Sequence, residues 1–172
     1  MTTAGEMWRL LDTLPTKDNT LIDVRQIVEL FTSLLSDSYC LDELTLKYVM
    51  QFFDHNAYRN LVAARNANHR CGYPLCSNIL QHDGTNHHQN GKNGYALQAQ
   101  FCGYYHSDCS GYLEAQLPDR LQYQLNFISL NNCIPATEYD SGVIPLEEVL
   151  RGRKTAYDID SIVDNMKSFN IR

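Results

Sequence analysis

Two pairs of potential metal ligands constrain this chain more than any other feature of its sequence. Cys71 and Cys76 are separated by four residues that include a glycine and a proline. Cys102 and His106 follow after a further 25 residues, with three residues between them. Glycine and proline favour a tight turn, which would present both thiols of the first pair to one point. Because a structural zinc site takes four thiolate or imidazole ligands in a tetrahedron, the two pairs predict one zinc ion.

The identity of the fourth ligand has an alternative in the sequence. Cys109 lies three residues after His106 and would share its face of a helix. With either residue, four protein ligands leave no position for water or substrate, so the predicted metal is structural and not catalytic. Cys40 and Cys133 stand apart from other potential ligands and are interpreted as small buried apolar residues.

Apolar residues recur at spacings of three and four through the first 68 residues, a pattern typical of helices packed on a core. In the N-terminal part, helices are predicted over about 5–14, over 20–36, from about 41 through 52, and from a cap at Asp54 through at least 62. In the rest of the chain, helices are predicted over 107–117, from Pro145 through 150, and over 159–169. Short strands are predicted at about 95–102 and 127–130. The helix over 107–117 is expected to bury Tyr112 and Leu113. The predicted fold class is therefore mainly α, a helical domain with a single structural zinc site and few short strands.

The chain of 172 residues is short enough for one compact domain. Its predicted parts are a helical N-terminal block (1–68), a zinc-binding unit (69–120) and a C-terminal segment with two short helices (121–172). Residues 82–94 read HDGTNHHQNGKNG and carry no large apolar side chain, which predicts a polar loop. The adjacent His87 and His88 in this loop are interpreted as solvated residues.

Charge and hydropathy exclude several classes of protein. A net charge of -6 argues against direct nucleic-acid binding, which depends on a basic surface. No run of 18 apolar residues is present, so no membrane helix is expected. The first 14 residues contain two acidic side chains and lack the apolar core of a signal peptide. The six cysteines are too sparse for a secreted disulfide scaffold, and we expect a monomer inside the cell.

Three stretches of the sequence resemble a family of zinc-binding proteins associated with RNA polymerase II. They are CLDELTLKYVMQFFDHNAYRNLV (40–62), ARNANHRCGYPLC (64–76) and FCGYYHSDCSGYLEAQL (101–117). The resemblance covers roughly residues 24–120, and CGYPLC is its most specific part. Yeast members, and an animal counterpart, are described as atypical phosphatases of the C-terminal repeat domain of the polymerase. The family's four zinc ligands fall on Cys71, Cys76, Cys102 and His106.

The resemblance implies a mostly helical fold around one zinc ion and a protein serine phosphatase activity on serine 5 of the repeat. It implies the C-terminal repeat tail of the largest polymerase subunit as the partner, and shuttling between nucleus and cytoplasm. A non-catalytic alternative stays open. In that alternative, a zinc-binding module recognises the polymerase or its phosphorylated tail, in assembly, nuclear import or recruitment of another phosphatase.

The common phosphatase motifs do not explain such an activity. None of the six cysteines has an arginine six positions later, which a cysteine phosphatase requires. Asp158 and Asp160 resemble the paired aspartates of another phosphatase class, but no buried strand precedes them. These two aspartates are therefore interpreted as acidic residues at the start of the last helix, where they favour its dipole.

Phosphate-ester hydrolysis needs cations beside the phosphate oxygens and a nucleophile, so basic and phenolic residues near the zinc unit are the remaining candidates. The candidate catalytic residues are Tyr95, Arg65 and Arg70. The candidate phosphopeptide-binding residues are Lys47, Arg59, His69 and Tyr73. A tyrosine nucleophile would need a nearby cation to lower its pKa. The alternative interpretation is a solvated helix face for the cations and partial core burial for the tyrosines.

Overall fold

A computed structural model of the protein describes residues 1–18, 20–80, 100–119, 127–136 and 142–152. The helices of the described part are α1 (Ala4–Leu11), α2 (Val24–Asp37), α3 (Glu43–Met50), α4 (His55–Ala67), α5 (Tyr104–Glu114) and α6 (Leu146–Leu150). Its strands are β1 (Thr16–Lys17), β2 (Leu21–Asp23) and β3 (Phe127–Ser129), followed by a short 3-10 helix at Leu130–Cys133. The three strands form one antiparallel sheet in the order β1-β2-β3. The predicted fold class, mainly α with few short strands, is confirmed.

Side-chain caps fix where the first four helices begin. The Thr3 hydroxyl accepts a hydrogen bond from the backbone N–H of Glu6, whose carboxylate accepts one from the N–H of Thr3. The side chains of Asp23, Asp42 and Asp54 each accept one backbone N–H in the first turn of α2, α3 and α4. These side chains satisfy N–H groups that no carbonyl of the helix can reach, and each cap typically contributes about 1 kcal/mol. The predicted cap at Asp54 is confirmed.

The core lies between α2, α3 and α4 and extends to the segment that carries the cysteines. The Phe31 ring packs against Tyr48 and Phe52 at centroid distances of 5.9 and 5.7 Å. The Tyr48 hydroxyl donates a hydrogen bond of 2.8 Å to the backbone carbonyl of Cys133. Cys40 and Cys133 are buried in this core, as predicted. Within the described residues, no helix is long and apolar enough to span a membrane.

Element boundaries differ from the predictions at α2 and α5. Residues 21–23 form a strand because the cap at Asp23 delays the helix to residue 24. The helix predicted at 107–117 begins at Tyr104, so its first turn includes His106. Tyr112 is 39% exposed, contrary to its predicted burial, whereas Leu113 is buried. Gln100 to Gly103 form a turn and bends. Residues 95–99 of the predicted strand, the 82–94 loop with His87 and His88, and the predicted last helix lie outside the described residues.

Candidate metal centre

The structure brings the four predicted ligands to one point. The three sulfur atoms of Cys71, Cys76 and Cys102 and a ring nitrogen of His106 all lie within 4.8 Å of one another. The Cys76 and Cys102 sulfurs are 3.7 Å apart, and the Cys71 sulfur is 3.9 Å from His106 Nδ1. In a tetrahedral centre with metal–sulfur bonds of about 2.3 Å, adjacent sulfurs lie about 3.8 Å apart. The cluster therefore has the donor set and the spacing to hold one metal ion.

The first ligand pair lies on a tight turn whose backbone is fixed from both sides. The N–H of Cys76 donates to the carbonyl of Tyr73 at 2.9 Å, and the N–H of Cys71 donates to the carbonyl of Asn78 at 3.0 Å. We call residues 71–76 the metal-binding turn. Gly72 donates its N–H to the backbone carbonyl of residue 100 at 2.8 Å, which joins this turn to the second ligand pair. Backbone bonds thus position both pairs relative to each other.

Hydrogen bonds to sulfur favour thiolates at the centre. The N–H of Cys102 donates to the Cys71 sulfur at 3.4 Å, and the N–H of Asn78 donates to the Cys76 sulfur at 3.3 Å. The Asn78 side-chain amide also donates to the Cys102 sulfur at 3.2 Å. The contact between Cys71 and Cys76 lowers the pKa of the Cys71 thiol to about 5 and raises the pKa of Cys76. Because donated hydrogen bonds stabilise the charged form of a thiol, the Cys71 sulfur is prepared for a cation.

His106, and not Cys109, completes the cluster. His106 lies in the first turn of α5, with the rings of Tyr73 and Tyr105 at centroid distances of 5.5 and 5.6 Å. Cys109 lies one turn further along the helix, is fully buried and is not part of the cluster. Burial, together with the nearby Glu147 carboxylate, raises the pKa of the Cys109 thiol to about 12, which keeps it neutral.

Arg65, a predicted catalytic residue, is turned inward and has no exposed surface. Its Nε donates to the carbonyl of Cys71 and its Nη2 to the carbonyl of Cys76, each at 2.7 Å. Its Nη1 donates to the carbonyl of Leu35 at 2.6 Å and also to that of Ser38. All of these partners are backbone carbonyls, so the guanidinium lies behind the metal-binding turn. This position corrects the prediction of contact with a phosphate.

The other predicted cations are engaged with carboxylates on different elements. Lys47 is buried and paired with Glu148 of α6, and Arg59 donates from Nε to Glu114 of α5 at 2.6 Å. Lys47 forms part of the wall of a cleft of ≈ 670 Å³, whereas Arg59 lies outside that cleft. The predicted cationic groove is therefore not formed by these two side chains. Tyr95, the predicted nucleophile, lies outside the described residues.

Three further predicted residues lie in the metal-binding turn or directly before it. Arg70 places its Nε 3.5 Å from Asp37 at the end of α2. His69 is exposed and adopts a left-handed backbone conformation with φ 56°. Tyr73 is buried and donates from its hydroxyl to Glu147 at 2.9 Å, which fits the alternative interpretation of core burial.

Sequence reasoning missed two residues that support the site. Asn78 donates to two of the sulfurs, and Glu147 holds the tyrosine that stacks beside the histidine ligand. The bond to Cys76 comes from the backbone of Asn78 and the bond to Cys102 spans 24 residues, so the sequence carries no local signal for either. No local signal identifies Glu147, because it is 74 residues from Tyr73 in the sequence.

The fold and the site together define a mainly helical domain organised around a metal site of three cysteines and one histidine. The profile of the Rtr1/RPAP2 family matches residues 51–118, which contain all four ligands. This chain belongs to the Rtr1/RPAP2 family, in agreement with the resemblance noted in its sequence.

Two curated relatives come from Saccharomyces cerevisiae. The RNA polymerase II subunit B1 CTD phosphatase RTR1 is 32% identical over 148 residues, which cover 80% of this chain and 66% of RTR1. The corresponding phosphatase RTR2 is 28% identical over 148 residues, which cover 86% of this chain and 72% of RTR2. The chain thus spans about two thirds of the length of RTR1.

Solved structures of the same family share the fold. The crystal structure of Saccharomyces cerevisiae Rtr1 is 27% identical and gives a TM-score of 0.62, covering 90% of this chain and 99% of that structure. The structure of Rtr1 from Kluyveromyces lactis is 26% identical with the same TM-score, covering 85% of this chain and 99% of that structure.

Proposed function

We propose that this chain acts on the phosphorylated C-terminal repeat domain of the largest subunit of RNA polymerase II, as a protein serine phosphatase for serine 5 of the repeat. The observation that carries the proposal is the 32% identity to RTR1 across 80% of this chain. That relative is named a phosphatase of this domain. The metal-binding turn and its two partner ligands lie inside the region of family similarity. The proposed sites of action are the nucleus and the cytoplasm.

The proposed metal is zinc, held by Cys71, Cys76, Cys102 and His106. Three thiolates and one imidazole suit zinc better than the hard cations that prefer oxygen ligands. With four protein ligands, a bound zinc ion supplies a structural cross-link between the metal-binding turn and α5. Its role in the proposed reaction is therefore to hold the surrounding residues in place.

The experiment is phosphate release from a repeat peptide phosphorylated at serine 5, with metal-loaded protein. We expect turnover that is lost or strongly reduced in Tyr95→Phe, because the proposal makes this phenol the nucleophile. We expect a smaller reduction of turnover in Arg70→Gln. Arg70 lies beside the metal-binding turn, and the distance of 3.5 Å from its Nε to Asp37 indicates a weak ion pair. Arg25→Gln removes an exposed arginine of α2 and serves as the charge-matched control.

The outcomes separate the proposal from its alternatives. Turnover that is equal in Tyr95→Phe and the unmodified protein would exclude Tyr95 as the nucleophile. Absence of turnover in fully metal-loaded protein would exclude the enzyme.

A non-catalytic recognition module is the second candidate, and the pairing of the predicted cations favours the form of it that recognises the polymerase without contacting a phosphate. Arg59 is paired with Glu114 and Lys47 with Glu148, whereas a phosphoryl-transfer site needs cations directed at the phosphate. Such a module would recognise the polymerase or its phosphorylated tail in assembly, import or recruitment of another phosphatase. Binding of the phosphorylated peptide without phosphate release would support this candidate.

A further inference from the structure

The guanidinium of Arg65 connects three parts of the molecule behind the metal-binding turn. Arg65 belongs to α4 and is completely buried. Two of its bonds reach the carbonyls of Cys71 and Cys76, which are the first and last residues of the turn. Two more reach carbonyls at the end of α2, at Leu35 and Ser38. One side chain therefore holds both metal ligands of the turn and fastens them to two helices.

The shape of the guanidinium suits this position. Its N–H donors point in fixed directions within one plane, so carbonyls bound to Nε and Nη2 are held at a defined separation. Carbonyls in the last turn of a helix lack partners within the helix and carry its negative dipole end. The end of α2 therefore offers the cation a favourable electrostatic environment. A lysine ammonium would keep the charge but would bind these carbonyls from a single point.

The charge of Arg65 complements a metal-loaded site. A divalent ion with three thiolates and one neutral imidazole carries a net charge of -1. A charge inside a protein is costly unless an opposite charge lies nearby. Arg65 places one positive charge near two of the thiolate ligands, because it binds their backbone carbonyls. Metal binding converts all three cysteines to thiolates, so the number of negatively charged sulfurs near the guanidinium is greatest in the metal-loaded protein.

We propose that Arg65 is a positioning residue and the buried counter-charge of the metal centre. Metal binding and the anchoring of the metal-binding turn to α2 and α4 are then mutually dependent. The role is distinct from contact with a phosphorylated substrate. It rests on metal binding by the four ligands and not on phosphatase activity.

The test is the affinity of the full chain for Zn²⁺, measured by competition with a chelator, and the absorption spectrum of the Co²⁺-substituted protein. Arg65→Lys keeps the charge without the planar fork, and Arg65→Gln removes the charge. We expect affinity to fall in the order unmodified protein, Arg65→Lys, Arg65→Gln, with a total loss of about 10- to 100-fold. Arg25→Gln, a change of an exposed arginine of α2, is expected to bind metal normally.

Unfolding in urea distinguishes this role from simple core packing. We expect Arg65→Lys and Arg65→Gln to destabilise the metal-loaded protein more than the metal-free protein, because the counter-charge acts mainly on the thiolates. Equal destabilisation of both forms would overturn the proposal. Metal affinity within about twofold of the unmodified protein in both variants would also overturn it, since loss of a contact around the ligands of a metal site normally lowers the affinity far more than this.

A measurement on the unmodified protein keeps the proposal testable if neither variant folds. The Nε–H of Arg65 can be observed by nitrogen-15 nuclear magnetic resonance, because its burial slows exchange with water. We expect removal of the metal by a chelator to shift this signal and to accelerate its exchange. A signal that is the same with and without metal would show that Arg65 does not respond to the centre.

Discussion

Gly72 is the position where the metal-binding turn touches its neighbours most closely. A Cβ atom there would lie 2.8 Å from a ring carbon of Phe101 and 2.8 Å from a methyl carbon of Val62. Both distances are shorter than any ordinary contact, and the side chains concerned belong to a packed core. The glycine therefore allows the turn to lie against α4 and the second ligand pair at the same time.

Replacement of this glycine should displace the turn. We predict that Gly72→Ala lowers the free energy of unfolding by about 1–3 kcal/mol, as overpacking of a core typically does. Urea denaturation of the metal-loaded protein measures this change. Gly111→Ala is the matched control, because a Cβ at this position of α5 meets nothing within 4 Å. Alanine there is expected to be neutral or stabilising, since glycine is a poor helix former. A Gly72→Ala protein as stable as the unmodified one would contradict the packing argument.

The residue scale also shows where sequence reasoning succeeded and where it stopped. The spacing of Cys71, Cys76 and Cys102 was sufficient to predict that these residues meet, because closely spaced ligand pairs leave a local trace. The same spacing left Cys109 as an alternative to His106. The inward position of Arg65 was not predictable, because a charged residue in a helical stretch is usually exposed. Only the unpaired carbonyls at the end of α2 and in the turn explain why a cation is buried there, and these become visible only in three dimensions.

At the scale of elements, polar contacts hold α6 against the rest of the protein. A helix of five residues is not stable alone, because nucleation costs more than so few hydrogen bonds return. Glu147 accepts from the Tyr73 hydroxyl, and Glu148 is paired with Lys47 of α3. Just before the helix, the backbone of residue 144 exchanges two hydrogen bonds with the side chain of Gln116. α6 is thereby attached to the metal-binding turn and to α3.

Loss of one of these contacts should loosen α6. We predict that Tyr73→Phe accelerates amide hydrogen exchange in residues 142–152, because the Glu147 carboxylate loses its donor while the ring remains to pack beside His106. Exchange followed by mass spectrometry measures this effect peptide by peptide. Tyr104→Phe, at an exposed tyrosine of α5, serves as the control and should leave exchange unchanged. Unchanged protection of 142–152 in Tyr73→Phe would show that the apolar contacts alone hold the helix.

Local patterns predicted the helices and the strand at 127–130, which is β3, but not the pairing of the sheet. Apolar periodicity and the Asp54 cap located α1 to α4 to within a few residues, because helical contacts are local in sequence. Strand β2 pairs with β3 more than a hundred residues later, and such pairing leaves little trace in a three-residue segment. The early start of α5 was missed for a different reason: Gly103 gives no side-chain cap that would mark it.

At the scale of the molecule, one hydrophobic core of the described residues connects the N-terminal helices, the metal-binding turn and the segment after α5. It includes Met7 of α1, Tyr73 of the turn and Cys133 of the 3-10 helix. A single core is consistent with a metal that strengthens the domain locally and does not replace its packing. The family relationship extends over most of the chain, so the solved Rtr1 structures and this protein share this arrangement at a TM-score of 0.62.

The central claim is that one metal ion is bound by three sulfur atoms and one histidine nitrogen. The measurement that tests it most directly is metal analysis of the purified protein combined with X-ray absorption at the zinc edge. We predict one zinc ion per chain, with three sulfur ligands at about 2.3 Å and one nitrogen ligand at about 2.0 Å. Four sulfur ligands would mean that Cys109 replaces His106, and a protein that retains no stoichiometric metal would contradict the account.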